Sequence, residues 1–224
     1  MPTDLADCAV RARREDREDV DTDASALFFA ILTVIVDVFV FGALIGWVVV
    51  HLAPTSSLAD RALRARDLIA PDALWGAALI ALVTMLGSLY LSEVADYPPC
   101  KLCWYQRIAM YPLAVILAIA AAKRDRAIAR YVAPITTIGG AISIYHYQLE
   151  RFPEQQSLSC ALDVPCTTVW IWKFHYISIP AMALSAFAAI AVLVLVARTC
   201  RVDDEFGGDN EDGRASNADR GAST

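Results

Sequence analysis

Hydrophobic positions in this chain are gathered into five stretches, separated by short polar connections and flanked by two polar ends. A helix needs about 20 apolar residues to cross a bilayer. The stretches that reach or approach this length are Ala26–Val50, Ala73–Val94, Trp104–Ala122, Val132–Tyr147 and Tyr176–Ala197. We therefore expect an all-α integral membrane protein, a four-helix transmembrane bundle with one additional N-terminal transmembrane helix.

The fourth stretch is the shortest and contains Pro134 and the Gly139–Gly140 pair. Such a segment is stable in a membrane when neighbouring helices pack closely against its small residues. The first stretch contains Asp37, for which we expect an inward-facing, structural role. We expect the last four stretches to form the compact bundle.

Composition and charge divide the chain into five segments. Of its 224 residues, 57% are hydrophobic and 20% charged, against about 45–50% and about 25% in soluble domains. This composition predicts the lipid bilayer as a partner. The net charge is −6 and the acids lie mostly at the two ends, and we expect no nucleic acid as a partner. The predicted segments are a polar segment 1–25, the additional helix 26–50, an amphipathic linker 51–72, the four-helix core 73–198 and an acidic, disordered tail 199–224.

Basic residues in the connections predict the orientation of the core, because they favour the cytoplasmic side. Three connections carry them: Arg61, Arg64 and Arg66; Lys123, Arg124, Arg126 and Arg130; Arg198 and Arg201. By parity the two other core connections, before the third helix and after the fourth, face outward. The orientation of the first helix stays open, since Met1–Ser25 mixes arginines with acids.

Four of the six cysteines fall in these two outer connections: Cys100, Cys103, Cys160 and Cys166. Compartments outside the cytoplasm are where disulfides form and persist. Pro98 and Pro99 hold the chain extended just before Cys100, so Cys100 should lie where the third helix begins. The partial positive charge of a helix N-terminus favours a thiolate, and the C-x-x-C spacing suits thiol–disulfide exchange.

Arg107 lies four residues beyond Cys103 and therefore on the same helix face. Its guanidinium would stabilise a thiolate and donate to a carbonyl oxygen, so a lipid-soluble electron acceptor with ring carbonyls would fit beside it. The alternative for Arg107 is a cation at the membrane interface that extends its charge to water.

The second outer connection contains Cys160 and Cys166 with five residues between them and Pro165 at a turn. This pair could close a small, exchangeable disulfide ring. Aromatic residues follow, typical of a membrane interface, and we expect a short interfacial helix there: Trp170, Trp172, Phe174 and Tyr176. Two other interpretations are a zinc site, whose usual spacings differ, and two permanent disulfides. We expect no metal.

The segment PPCKLCWYQRIAMYPL resembles the DsbB/BdbC family of membrane thiol oxidoreductases, and its BdbC branch most of all. The similarity extends from about Leu82 to about Ala189 through MLGSLYLSE, ISIYHY, CALDVPC and ISIPAMAL. It implies a four-helix bundle with both cysteine pairs on its outer face, in the plasma membrane as a multi-pass protein. The additional helix and the tail lie outside the similarity.

The resemblance also implies a role for each site residue. Cys100 and Cys103 would be the quinone-coupled pair, with Cys103 facing the quinone and Arg107 helping to bind it. Cys160 and Cys166 would exchange with a soluble or anchored thioredoxin-fold protein of the DsbA/BdbD type, through Cys160. His146 would lie near the quinone, although a histidine simply hydrogen-bonded at a helix end is the alternative.

The implied activity is that of a protein-dithiol:quinone oxidoreductase using ubiquinone or menaquinone. A vitamin K epoxide reductase-like enzyme is the alternative within the same chemistry, but there the loop cysteines precede the C-x-x-C pair, whereas here they follow it. A structural or metal-binding membrane protein is the alternative from another class.

Overall fold

A computed structural model of the protein describes residues 3–155 and 165–198, with side chains from residue 22 onward. Within this part of the chain the regular elements are helices, apart from one isolated bridge. The helices are α1 (Thr3–Leu52), α2 (Ser57–Ile69), α3 (Ala73–Glu93), α4 (Lys101–Lys123), α5 (Ala129–Arg151) and α6 (Ile179–Arg198). The disordered tail predicted for 199–224 lies outside the described residues.

Five of these helices are long and apolar enough to cross a membrane: α3, α4, α6, the Thr22–Leu52 part of α1, and α5 with the short turn before it. The predicted fold class, an all-α integral membrane protein, is confirmed. The expectation that the fourth apolar stretch forms a short helix was wrong, because α5 has 23 residues. The helix continues through polar residues at both ends, which the apolar pattern alone does not include.

The core of the bundle lies between α3, α4, α5 and α6. Its largest fully buried side chains come from three different helices and include Leu113, Leu117, Val132, Phe187 and Ile190. Small residues bring α5 close to α6: a Cβ atom at Gly139 would overlap the ring of Phe187. The close neighbour expected for the glycine pair is therefore α6.

We predict that Gly139→Ala destabilises the protein by about 1–3 kcal/mol, because the added methyl group overpacks a full site. Phe187 is 1% exposed, so its ring has little room to move. Gly42→Ala is the matched control, since nothing lies within 4 Å of a Cβ built there. Thermal unfolding in detergent, followed by tryptophan fluorescence, measures both. Equal midpoints for the two variants would contradict this packing.

The connection between α5 and α6 corrects a second expectation. The interfacial helix predicted around Trp170–Tyr176 is absent from this described part of the chain. Lys173 and Ile177 instead pair as an antiparallel bridge across a tight turn. Phe174 and His175, at the tip, take positive φ angles of 51° and 66°, which a helix does not allow. The aromatic side chains are thus presented by a turn.

Helix α2 packs on the last turns of α1. Ser56 caps its N-terminus by accepting a hydrogen bond from the Ala59 amide at 3.1 Å. Ala62 lies against Gly46 of α1, where a Cβ would come within 3.3 Å of the Ala62 methyl. The chain thus turns back on α1 before it enters the four-helix core.

Candidate active site

Cys100 is the N-cap residue of α4. Its backbone is extended (φ −72°, ψ 173°), and its sulfur accepts a hydrogen bond from the Cys103 amide at 3.4 Å. The sulfurs of Cys100 and Cys103 are 3.2 Å apart, and both cysteines are free. The position that the proline pair predicts is therefore observed: one thiol caps the helix and the other lies in its first turn.

The surroundings of Cys100 favour its thiolate. The hydrogen bond from the Cys103 thiol holds the pKa of the Cys100 thiol well below its usual value. Burial opposes this shift, but the hydrogen bond and the electrostatic interaction with His146 add to it. A thiolate attacks disulfides, and a thiol of low pKa is also the better leaving group when a disulfide is reduced.

His146 and Gln106 form a hydrogen-bonded chain to Cys100. His146 Nε2 lies 3.5 Å from the Cys100 sulfur, and the Gln106 side-chain nitrogen lies 3.3 Å from His146 Nδ1. When the Gln106 amide donates to Nδ1, the ring hydrogen of a neutral histidine is on Nε2 and points to the sulfur. Both residues are buried, so this chain fixes the ring orientation as well as its tautomer.

We predict that His146→Ala raises the pKa of Cys100, because it removes a hydrogen bond that stabilises the thiolate. Cys103 still contributes its hydrogen bond, and Glu150 is the further titratable group whose charge interacts with Cys100. The alkylation rate of Cys100 against pH, resolved by mass spectrometry, should shift its midpoint upward. His175→Ala, at an exposed histidine, should leave the midpoint unchanged. A midpoint unmoved in His146→Ala would refute the contact.

Cys103 and Arg107 line an apolar cavity of about 310 Å³ between α1, α3, α4 and α6, whereas Cys100 does not line it. Arg107 is 8% exposed. Its Nε donates to Ser88 Oγ at 2.9 Å and its Nη2 to the Ser88 carbonyl oxygen at 2.7 Å. Arg107 is thus held inside the bundle, and the interpretation as a cation reaching for water is wrong. Its Nη1 makes no hydrogen bond to the described residues.

Cys166 brings the second outer connection to the same place. It is fully buried, is disulfide-bonded, and belongs to one apolar cluster with Cys100, Leu102 and Leu149. Cys160, its predicted partner, lies outside the described residues. The two cysteines of the C-x-x-C motif therefore differ in one respect. Cys100 belongs to the cluster that contains Cys166 and does not line the cavity, whereas Cys103 packs against that cluster and also lines the cavity.

Two residues of this site were not identified from the sequence. Gln106 lies within the C-x-x-C segment, three residues beyond Cys103, so its helical spacing was an available signal. Ser88 had none, because it is 19 residues from Arg107 and on another helix. Gln106 is hydrogen-bonded to His146 and Ser88 to Arg107, and both of these partners were identified from the sequence.

A membrane-embedded helical bundle with a thiolate-favouring C-x-x-C pair beside a buried, disulfide-bonded cysteine defines a class, the membrane thiol oxidoreductases. The comparison with known families agrees. The family described as "Disulfide bond formation protein DsbB" matches residues 71–197, from the start of α3 to the end of α6. The chain belongs to the DsbB family, as the resemblance indicated, and is a disulfide-generating membrane oxidoreductase.

Curated relatives lie in the same family. The chain is 48% identical over 119 residues to "Probable disulfide formation protein C" of Bacillus cereus, covering 53% of this chain and 84% of the relative. It is 44% identical over 122 residues to "Disulfide bond formation protein C" of Bacillus subtilis, covering 54% and 88%. No solved structure matches the chain.

Proposed function

We propose that this protein is a protein-dithiol:quinone oxidoreductase that reoxidises an extracytoplasmic thioredoxin-fold thiol oxidase. The observation that carries the proposal is the division of the C-x-x-C pair. Cys103 lines the apolar cavity with Arg107 and also packs against the cluster of the disulfide-bonded Cys166, whereas Cys100 lies in that cluster and does not line the cavity. One side of the motif suits a lipid-soluble acceptor, and the other suits thiol–disulfide exchange.

The cavity fits a quinone head group. Its volume is at the lower end of the range of about 300–1,000 Å³ for small-molecule sites, enough for a substituted ring and the start of its tail. Its lining is largely apolar, with Cys103 and Arg107 as reactive and charged groups. Arg107 would donate its free Nη1 hydrogens to a ring carbonyl while Ser88 holds its other nitrogens. When bound, the quinone supplies the two-electron acceptor.

The remaining steps are thiol–disulfide exchanges among the residues of this chain and its partner. The partner's thiolate attacks the Cys160 sulfur of the Cys160–Cys166 disulfide, which forms a mixed disulfide and releases Cys166 as a thiolate. The partner's second thiol then displaces Cys160, so that the partner is oxidised to a disulfide and two loop thiols remain. These thiols reduce the Cys100–Cys103 disulfide and return to the disulfide themselves. Each exchange moves two electrons and two protons, so the pair Cys100–Cys103 ends as a dithiol. Low pKa at Cys100 favours its release as a thiolate.

The location and partner follow from the same chemistry. The basic residues of the three other connections support an extracytoplasmic position for the cysteine loops, at the plasma membrane. The partner is a soluble or anchored protein of the DsbA/BdbD type, since its dithiol must be accessible from that side. Labelling of reduced Cys100 and Cys103 by an impermeant maleimide in intact cells tests this orientation, and labelling only from the cytosol would exclude it.

A zinc-binding role is the second candidate. The ligand atoms of Cys100, Cys103 and His146 lie within 4.8 Å of one another, and two cysteines with one histidine form a known zinc set. Arg107, a buried cation one turn beyond Cys103, opposes a divalent ion there. Cys166 is already disulfide-bonded and so is not a thiolate ligand.

We expect the purified protein to reduce a short-chain quinone with a dithiol donor and to contain less than one zinc ion per chain. The reason is that Arg107 is a buried cation one turn beyond Cys103, and its charge repels a divalent ion at these ligands. Quinol absorbance and elemental analysis measure the two quantities in one preparation. Stoichiometric zinc without quinone turnover would support the second candidate and reject the first.

A further inference from the structure

Helix α1 lies outside the residues that match the family, yet it forms one wall of the cavity. Four of its residues line the cavity: Phe29, Leu32, Thr33 and Val36. Their spacing of three, four and seven residues from the first places them on one face of the helix. Other faces of α1 are exposed, with Ile35 at 60% and Phe41 at 63%, as expected where lipid surrounds a helix.

Gly87 on α3 allows Phe29 of α1 to pack closely against α3. A Cβ atom at Gly87 would lie 2.9 Å from Cε1 of Phe29, so this position accepts the ring only because it has no side chain. The Phe29 ring also contacts Tyr90, with 6.1 Å between centroids. Gly87 directly precedes Ser88, which holds Arg107. Phe29 therefore packs against the residue next to Ser88, which accepts the hydrogen bonds of the Arg107 guanidinium.

Two polar contacts attach α1 to the turn after Cys166. Asp23 Oδ1 and Lys173 Nζ form an ion pair at 2.6 Å, and Tyr176 donates to Asp37 Oδ2 at 3.3 Å. Asp23 and Asp37 lie on either side of the cavity-lining residues in α1. The intramembrane acid thus has a structural partner, and the wall is held at both ends.

We propose that α1 is a quinone-selecting wall of this cavity, whose face around Phe29, Thr33 and Val36 contacts the ring and the first isoprene unit. The inference rests on the proposed function. In the four-helix core alone this side of the cavity would be open to lipid. Closing it with apolar side chains buries more of the ring, which raises affinity, and limits the ring size that fits.

Phe29→Ala and Phe41→Ala in the full chain test the wall with two residues of the same type on the same helix, since Phe41 is 63% exposed and does not line the cavity. The readout is binding of a short-chain benzoquinone to the detergent-solubilised protein, followed by quenching of tryptophan fluorescence and by the thermal shift that it causes. Phe29→Ala should weaken binding about fivefold to tenfold through its lost ring contacts. Phe41→Ala should change it by less than about twofold, as expected for a side chain outside the site. Equal effects of the two variants would overturn the proposal.

Val36→Phe distinguishes a helix that contacts the quinone from one that only supports the fold. The larger side chain fills part of the cavity without removing a packing contact. It should exclude a naphthoquinone more strongly than a benzoquinone, because the bicyclic ring needs more space, while the ligand-free unfolding midpoint stays the same. Unchanged binding of both quinones by this variant would overturn the proposal. Wild-type protein that neither binds nor reduces a quinone would instead reject the function on which the proposal rests.

Discussion

Cys103→Ala is expected to abolish quinone reduction, with a loss of at least about a thousandfold in turnover. Cys103 is the cysteine of the C-x-x-C pair that lines the cavity with Arg107, and Cys100 does not line it. Without the Cys103 sulfur, no thiol of this motif reaches the acceptor. The rate of quinol formation from a dithiol donor and a short-chain quinone measures the effect.

Cys200→Ala is the control for loss of a cysteine, since Cys200 follows α6 in the sequence and belongs to neither of the two cysteine pairs. It should keep wild-type turnover. The fold of Cys103→Ala is checked through Cys100, which should still be alkylated, because it remains the N-cap residue of α4. Turnover by Cys103→Ala above a few per cent would show that another thiol delivers the electrons.

Cys160→Ala is expected to block oxidation of a protein dithiol by at least about a hundredfold while oxidation of a small dithiol continues. Cys166 is fully buried, so a folded partner protein has no accessible sulfur once Cys160 is removed. A small dithiol does not need the loop pair, because it can reduce the Cys100–Cys103 disulfide directly. The measurement compares quinone reduction driven by a reduced thioredoxin-fold protein with that driven by the small dithiol.

The reciprocal variant, Cys166→Ala, supplies the matched control. It leaves Cys160 to attack or receive the partner without a second loop thiol to resolve the bond. A mixed disulfide between the partner and Cys160 should therefore accumulate and be visible by non-reducing electrophoresis and mass spectrometry. Normal partner oxidation in Cys160→Ala, or trapping at Cys100 instead, would refute the assigned order of exchange.

Local patterns predicted the features that depend on short stretches of chain. The spans of α3 and α6 follow from apolar length, since an unbroken apolar helix of that size is stable only in lipid. The start of α4 follows from two prolines and a cysteine in sequence. The prediction of an interfacial helix was wrong because aromatic composition indicates a membrane interface but not a backbone conformation. The backbone at Phe174 and His175 depends on the pairing of Lys173 with Ile177.

The sequence by itself determined the membrane class, the core spans and the position of Cys100 at a helix start, because apolar length, proline geometry and capping act within a few residues. Only the tertiary structure decided which groups meet. His146 is 46 residues from Cys100 and Ser88 is 19 from Arg107, so their contacts depend on how whole helices pack. The same packing brings Phe29 of α1 against Gly87 and turns a helix outside the family match into a wall of the site.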